Sequence, residues 1–387
     1  MSAAAVRVNR KGADRVLSGH PWIFSSDVTD RGDAQPGSAV TVLDPRGKLL
    51  GTALFSSTSQ ITLRLVSPQA ISLDRAFLLG RITKALELRQ RVVQNSNAYR
   101  LVSSEADLLP GLIVDRYDSA LVIQSLTQGM DRLQAEVISC LEELLAPTGI
   151  VARNDASVRQ LEGLPQHTQV VSGVIPETVP MAMNGLKLHA DLLRGQKTGI
   201  YLDQRENYLA AARHARGRML DCFTSTGGFA LHASRSVDSV EAVDSSAPAL
   251  ATAAHNALAN QITNIEFRQA DVFAFLAGLS RKFDTIILDP PAFAKSRKQV
   301  DAAARGYKEI NYRALKLLEP GGVLVTCSCS HHVGEATMFE VLAEASLDAG
   351  RTLRVLERRT QASDHPILLT VPETLYLKCL IFEAVDG

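Results

Sequence analysis

Leu220-Asp-Cys-Phe-Thr-Ser-Thr-Gly-Gly-Phe229 reads as an apolar strand end that breaks into a turn of small residues and restarts as a helix. The turn follows Phe223 directly, and Gly227 and Gly228 admit positive φ and let a ligand approach the backbone. Free N–H groups and the positive end of a helix dipole would meet an anionic ligand group there. Asp244 closes the next apolar run about 20 residues later, the distance at which a strand-end carboxylate reaches ribose hydroxyls. Working outward, strands are expected at 218–223, 239–244, 265–271, 283–289, 322–328, 352–357 and 375–382, with helices at 227–236 and 247–258. Such alternation predicts an α/β, Rossmann-like, mostly parallel sheet covered on both faces, with ligands beyond the carboxyl ends of its strands.

A strand, a glycine turn and an acid also suit a nicotinamide dinucleotide. The turn is not GxGxxG, however, and a dinucleotide needs that close approach for its pyrophosphate. S-adenosylmethionine carries no phosphate and needs only room for its methionine end. The expected cofactor contacts are therefore Phe223, Ser225, Thr226, Gly227, Gly228, Asp244 and Ser245, with Asp271 and Val272 near the adenine amino group and Asp289 at the fourth strand end. Any one of these acids alone reads equally well as a helix cap.

Asp289-Pro-Pro-Ala-Phe293 ends the fourth strand, where the prolines stop the ladder and present side chains to the cleft. Such a motif faces a planar base held out of its stack, with Phe293 available for stacking. The fifth strand runs into Thr326-Cys-Ser-Cys-Ser330. Alternation gives Cys327 and Cys329 the same face, and Cys329 lies nearer the carboxyl end. A thiolate adding to carbon 6 of cytosine makes carbon 5 nucleophilic, and Asp289 is placed to hold N3. Cys329 and Asp289 are the expected catalytic residues; His331 and His332 are candidates for lowering the thiol's pKa or removing the carbon-5 proton.

The remaining chain sets the context. At 387 residues it is long enough for two or three domains, and 46% hydrophobic with 21% charged residues is the composition of a folded protein. No apolar stretch approaches the ~20 residues of a membrane span, and the N-terminus lacks the apolar core of a signal peptide, so a cytoplasmic location is expected. The cysteines Cys140, Cys222, Cys327, Cys329 and Cys379 form no metal-type pair, and no metal is expected. The balance of 41 basic and 41 acidic residues argues against a protein that coats nucleic acid nonspecifically. Local basic runs remain at Arg7, Arg10, Lys11 and Arg15 and at Lys295, Arg297 and Lys298.

Residues 1–70 show short β-type runs broken by turn residues and predict a small β-barrel. Residues 71–185 predict an α+β domain, with helices at 74–93, capped by Ser72, and at 131–145. Glu105 and Asp107 in this part read as turn residues. Residues 186–387 form the third segment.

The runs Gly195-Gln-Lys-Thr-Gly-Ile-Tyr-Leu-Asp-Gln-Arg205, Cys222-Phe-Thr-Ser-Thr-Gly-Gly-Phe229, Asp289-Pro-Pro-Ala-Phe293, Arg305-Gly-Tyr-Lys-Glu-Ile-Asn311, Ser328-Cys-Ser330 and Asp364-His-Pro366 resemble the bacterial large-subunit rRNA methyltransferase I family. Gly19-His-Pro-Trp-Ile-Phe24 and Ser59-Gln-Ile61 are similar to that family's N-terminal PUA domain, an RNA-binding barrel. The resemblance implies a class I S-adenosylmethionine-dependent enzyme making 5-methylcytosine in 23S rRNA or a large-subunit precursor. It also implies Cys329 as nucleophile, Asp203 and Gln204 beside the methionine moiety, a central domain that positions substrate, and a weak homodimer. Cys327 departs from the pattern of some relatives. The competing readings are methylation of a base nitrogen, which needs no cysteine, and a non-catalytic RNA-binding assembly factor.

Overall fold

The computed structural model describes residues 4–195, 197–294 and 297–385, with residue 297 described by its backbone alone. Gln196 of the Gly195–Arg205 run, Lys295 and the Arg297 side chain of the second basic run thus lie outside the described residues. The chain forms two compact units: Met1–Met181 with Asp191–Gly199 and Ser363–Thr374, and Ala182–Ala190 with Ile200–Ala362 and Leu375–Gly387.

The first unit opens with a barrel-like six-stranded sheet in the order β2-β6-β5-β4-β1-β3. Its strands are β1 (Ala4–Val8), β2 (Trp22–Phe24), β3 (Val28–Asp30), β4 (Ala39–Leu43), β5 (Leu49–Phe55) and β6 (Ile61–Ser67), with helix α1 (Arg10–Leu17) after β1. In β4 the alternation is direct: Val40 and Val42 are buried while Ala39, Thr41 and Leu43 are not. The turn after it is closed by Asp44, whose Oδ1 accepts from the N–H groups of Arg46 and Lys48, both at 2.8 Å.

Helix α2 (Arg75–Val92) leads into a five-stranded sheet, β11-β10-β9-β8-β7, built from β7 (Ala98–Ser103), β8 (Leu112–Tyr117), β9 (Ala120–Ser125), β10 (Gly149–Asn154) and β11 (His167–Gly173). Helices α3 (Gln128–Leu145) and α4 (Val158–Leu161) interrupt these strands. Asp74, not Ser72, caps α2, accepting from the Phe77 N–H at 3.0 Å. Thr127 caps α3, so that helix starts three residues ahead of its expected position. Glu105 and Asp107 do more than turn the chain: Glu105 accepts from the Trp22 indole at 2.9 Å, and Asp107 pairs in fork geometry with the buried Arg89.

Residues 191–199 and 363–374 return to this first unit through buried polar contacts. Arg89 donates to the Asp364 carbonyl and the Arg100 N–H donates to Asp364 Oδ2, both at 2.8 Å. Thr198 Oγ1 donates to Asp115 Oδ2 at 2.6 Å, and Asp115 is also paired with Arg100. The Asp364-His-Pro366 run therefore clamps the first unit.

A hairpin of β12 (Val179–Met183) and β13 (Leu186–Ala190) follows β11 in the chain. The second unit then builds a seven-stranded sheet in the order β16-β15-β14-β17-β18-β20-β19. Its strands are β14 (Arg218–Cys222), β15 (Ser239–Asp244), β16 (Ile265–Gln269), β17 (Phe283–Leu288), β18 (Leu318–Ser328), β19 (Thr352–Arg359) and β20 (Lys378–Val385). Strands β14 to β18 run parallel; β20 inserts antiparallel between β18 and β19. The last strand starts at Lys378 because the chain before it turns through Pro372–Thr374.

The accompanying helices are α5 (Arg205–His214), α6 (Gly228–Ala233), α7 (Ala247–Ala259), α8 (Val272–Gly278), α9 (Val300–Leu317) and α10 (Glu335–Ala349). Leu220, Ile286, Leu288 and Leu324 of the central strands pack with Tyr307, Ile310 and Ala314 of α9 in one buried core. Burial of each large apolar side chain there contributes roughly 1.5–3 kcal/mol, which holds the strand ends in fixed positions. Strand order reverses at β14, so the cleft of the sheet opens beside β14 and β17. No helix among the described residues is long and apolar enough to cross a membrane.

Candidate active site

The turn after β14 is held in an uncommon backbone conformation. Phe223, Ser225 and Gly227 have φ of 63°, 51° and 84°. Buried Asp221 pins it from below: its Oδ2 accepts from Thr224 Oγ1 at 2.6 Å and from the Ala230 N–H at 3.0 Å. Burial pushes this carboxyl up to about 7, against the lowering effect of those two donors. Asp244 pins the turn from the side, accepting from the Ser225 N–H at 2.9 Å with one oxygen and from the Ser246 N–H at 2.8 Å with the other. Gly228 is required by packing, since a Cβ there would lie 2.3 Å from the ring of Tyr208 on α5. The Ser225 hydroxyl is buried with no hydrogen-bond partner among the described residues.

Other expected contacts are used differently. Asp271 Oδ1 caps α8 through the Ala274 N–H at 2.9 Å, and the Val272 side chain is buried in the core. Ser245 is exposed, with its carbonyl accepting from Gln269, and Thr226 is half-buried in the turn. The Phe293 ring is engaged by the fold, packing between Phe273 and Tyr307 with centroids at 6.1 and 4.7 Å, over Gly306. The ring is only partly buried there, packed against the edge of the core.

Asp203 and Gln204, in the short turn before α5, are both buried. Gln204 Nε2 donates to Asp289 Oδ1 at 3.1 Å, and Tyr376 donates to Asp203 Oδ2 at 2.9 Å. Tyr201, one turn earlier, ties the set together. Burial, followed by the negative charges of Asp289, Cys329, Asp203 and Asp244, drives its phenol well above the usual range.

The two cysteines are separated by exposure. Cys327 is fully buried opposite Cys379 in the β18–β20 register, and burial pushes its thiol well up. Cys329 lies one residue past the end of β18 and is partly exposed. Its flanking serines are anchored: Ser328 Oγ donates to Tyr307 Oη at 2.9 Å, and Ser330 Oγ lies 3.0 Å from the same phenol. Lys378, which pairs with Ser328 across the strands, donates to the carbonyls of Ser330 at 2.7 Å and Tyr376 at 2.9 Å. Burial lowers this ammonium to about 8, while a negative Cys329 favours its charged form. His331 and His332, next in the chain after Ser330, form an edge-on pair with ring centroids 5.4 Å apart.

Sequence reasoning missed Tyr201 and Lys378. Tyr201 lies within the Gly195–Arg205 run, which was a usable signal; Lys378 had none, because its place depends on cross-strand register.

A PUA-like domain profile matches residues 6–68, and an S-adenosylmethionine-dependent methyltransferase profile matches residues 111–383. The ribosomal RNA large subunit methyltransferase I of Tolumonas auensis is 41% identical over 96% of this chain and 96% of its own length. The chain belongs to the large-subunit ribosomal RNA methyltransferase I family. The family member from Yersinia pseudotuberculosis is 40% identical over 95% of this chain and 96% of its own length. Among solved structures, an S-adenosylmethionine-dependent methyltransferase from Streptococcus mutans superposes with a TM-score of 0.84, at 18% identity, over 98% of this chain and 100% of that chain. Another methyltransferase structure, complexed with S-adenosylhomocysteine, gives 0.84 at 19% identity, and both likenesses concern the fold. The cofactor of this family is S-adenosylmethionine, and the glycine turn with its unclaimed Ser225 hydroxyl fits a cofactor that bears a carboxylate and an amine but no phosphate.

Proposed function

We propose that this chain methylates carbon 5 of a cytosine in cytoplasmic large-subunit ribosomal RNA, with Cys329 as covalent catalyst. The RNA reading rests on the names of the relatives and on the PUA-like profile. The observation that carries the chemistry is the position of Cys329: partly exposed one residue past the end of β18, between two serines anchored on Tyr307.

In this reading the Cys329 thiolate adds to ring carbon 6, raising electron density at carbon 5. Asp289, oriented by Gln204, shares a proton with N3 and stabilises the adduct. Bound S-adenosylmethionine supplies the electrophilic methyl group that carbon 5 takes. Transfer of the carbon-5 proton to His331, His332 or a water, with expulsion of Cys329, then restores the ring. The residues from Phe223 to Gly228, with Asp203, Asp244 and Ser245, hold the methionine and ribose ends. Val272 and the second oxygen of Asp271 serve the adenine end. The barrel within residues 1–70 and the α+β part within 71–185 position the RNA for the chemistry of residues 186–387.

The test is an RNA fragment carrying 5-fluorocytidine, whose fluorine cannot leave as a proton does. Wild-type protein with S-adenosylmethionine should form a covalent complex that survives denaturing electrophoresis, and Cys329→Ala should form none while binding S-adenosylmethionine normally. Full methyl transfer by Cys329→Ala would move the reaction to a base nitrogen.

A further inference from the structure

The cofactor residues lie on the β14–β15–β16 side of the sheet, and Cys329 stands at the end of β18. Beyond it, on the β18–β20–β19 side, is a cleft of about 290 Å³ to which His331, Glu335, Arg358, Arg359 and Lys378 contribute. Three elements converge on it: the N-terminal end of α10, the last residues of β19 and the first residue of β20. Its lining carries two guanidiniums and, below about pH 8, a buried ammonium, against the carboxylate of Glu335. Arg359 is braced by Asn207 and Glu357, both at 2.9 Å. Arg358 donates through Nε to Glu335 Oε1 at 2.6 Å, its guanidinium lies 5.3 Å from the centroid of the Phe339 ring, and its side chain is 62% exposed. No side chain caps the end of α10 that borders the cleft, so its N–H groups add to the positive potential.

We infer that this cleft is an anion subsite that takes a backbone phosphodiester of single-stranded RNA next to the nucleotide presented to Cys329. The inference rests on the RNA-methyltransferase reading above. The cleft lies on the far side of the cysteine from the cofactor turn, where the strand flanking a splayed-out base must run. A planar guanidinium beside the end of a helix suits a phosphate oxygen pair. Glu335 competes with the phosphate for Arg358.

That competition makes the test two-signed. Binding of a cytidine-containing single-stranded RNA to the full chain would be titrated at several salt concentrations. Arg358→Gln should weaken binding several-fold and flatten the slope of log K against log salt by about 0.7, one single-strand phosphate contact. Glu335→Gln should tighten binding and steepen the slope. S-adenosylmethionine affinity should be unchanged in both. If the ion pair were merely structural, the two variants would change RNA binding in the same direction or leave it unchanged, and the subsite would be refuted. Failure of the underlying reading looks different: the wild-type protein itself would bind RNA without salt dependence and transfer no methyl to it.

Discussion

Lys378 stands directly across the β18–β20 pair from Ser328, and its ammonium grips the Ser330 carbonyl at 2.7 Å, so that the residue between them, Cys329, sits in a turn braced by a buried cation. A positive charge beside a thiol favours its ionised form. Lys378→Met should therefore raise the pH midpoint for alkylation of Cys329 by iodoacetamide by roughly one unit, and slow methyl transfer near neutrality by roughly tenfold. Lys378→Arg should recover part of both effects. In the wild type the ammonium titrates at about 8, so its contribution is present below that pH and fades as pH rises through it. An alkylation midpoint left unchanged by Lys378→Met would oppose this role.

Gly228→Ala forces a methyl group against the Tyr208 ring, where the ideal Cβ lies 2.3 Å from the nearest ring atom. Overpacking of this kind costs about 1–3 kcal/mol, and here the turn would have to shift. Thermal unfolding should show the loss, and calorimetry should show weakened S-adenosylmethionine binding. Adding Tyr208→Val should restore part of the cofactor affinity, a non-additive result expected of residues in contact.

Asp221 gives a pH signature of stability. Its folded value of about 7 lies above the ordinary carboxylate range, so the native state holds a proton that the unfolded chain releases. The resulting stabilisation is complete at about pH 4 and below and is lost as pH rises through about 7. Urea denaturation of the wild type across that window should include this downward trend, and Asp221→Asn should flatten it.

Arg89→Met removes one partner of a buried pair and strands Asp107 and the Asp364 carbonyl. Breaking a buried pair from one side costs about 3–5 kcal/mol. Chemical denaturation should register that loss, with increased protease sensitivity within 363–374.

Much of the second unit was legible because its strands are short apolar runs ended by recognisable chemistry: the small-residue turn at 224–228, Asp244, Asp289 and the cysteine run. The strand and helix periods of β14, β15, β17 and α7 follow from local sequence to within a residue or two. What escaped depends on partners distant in the chain. The antiparallel insertion of β20, which places Lys378, is fixed by packing against β18 and β19. The packing of Phe293 against Phe273, Tyr307 and Gly306 likewise depends on elements distant in the chain. Asp271 satisfies both a strand-end acid and a helix cap by sequence alone, and only coordinates show one oxygen committed to the Ala274 N–H.

The return of residues 191–199 and 363–374 to the first unit bears on how such a protein is inherited. A fragment severed at residue 186 would carry Thr198 and Asp364 without Asp115, Arg89 and Arg100, exposing hydrogen-bonding groups built for a dry interior. The catalytic half is thus no portable cassette: recombination would have to exchange several interlaced stretches at once, which favours descent of the whole chain as a single heritable block.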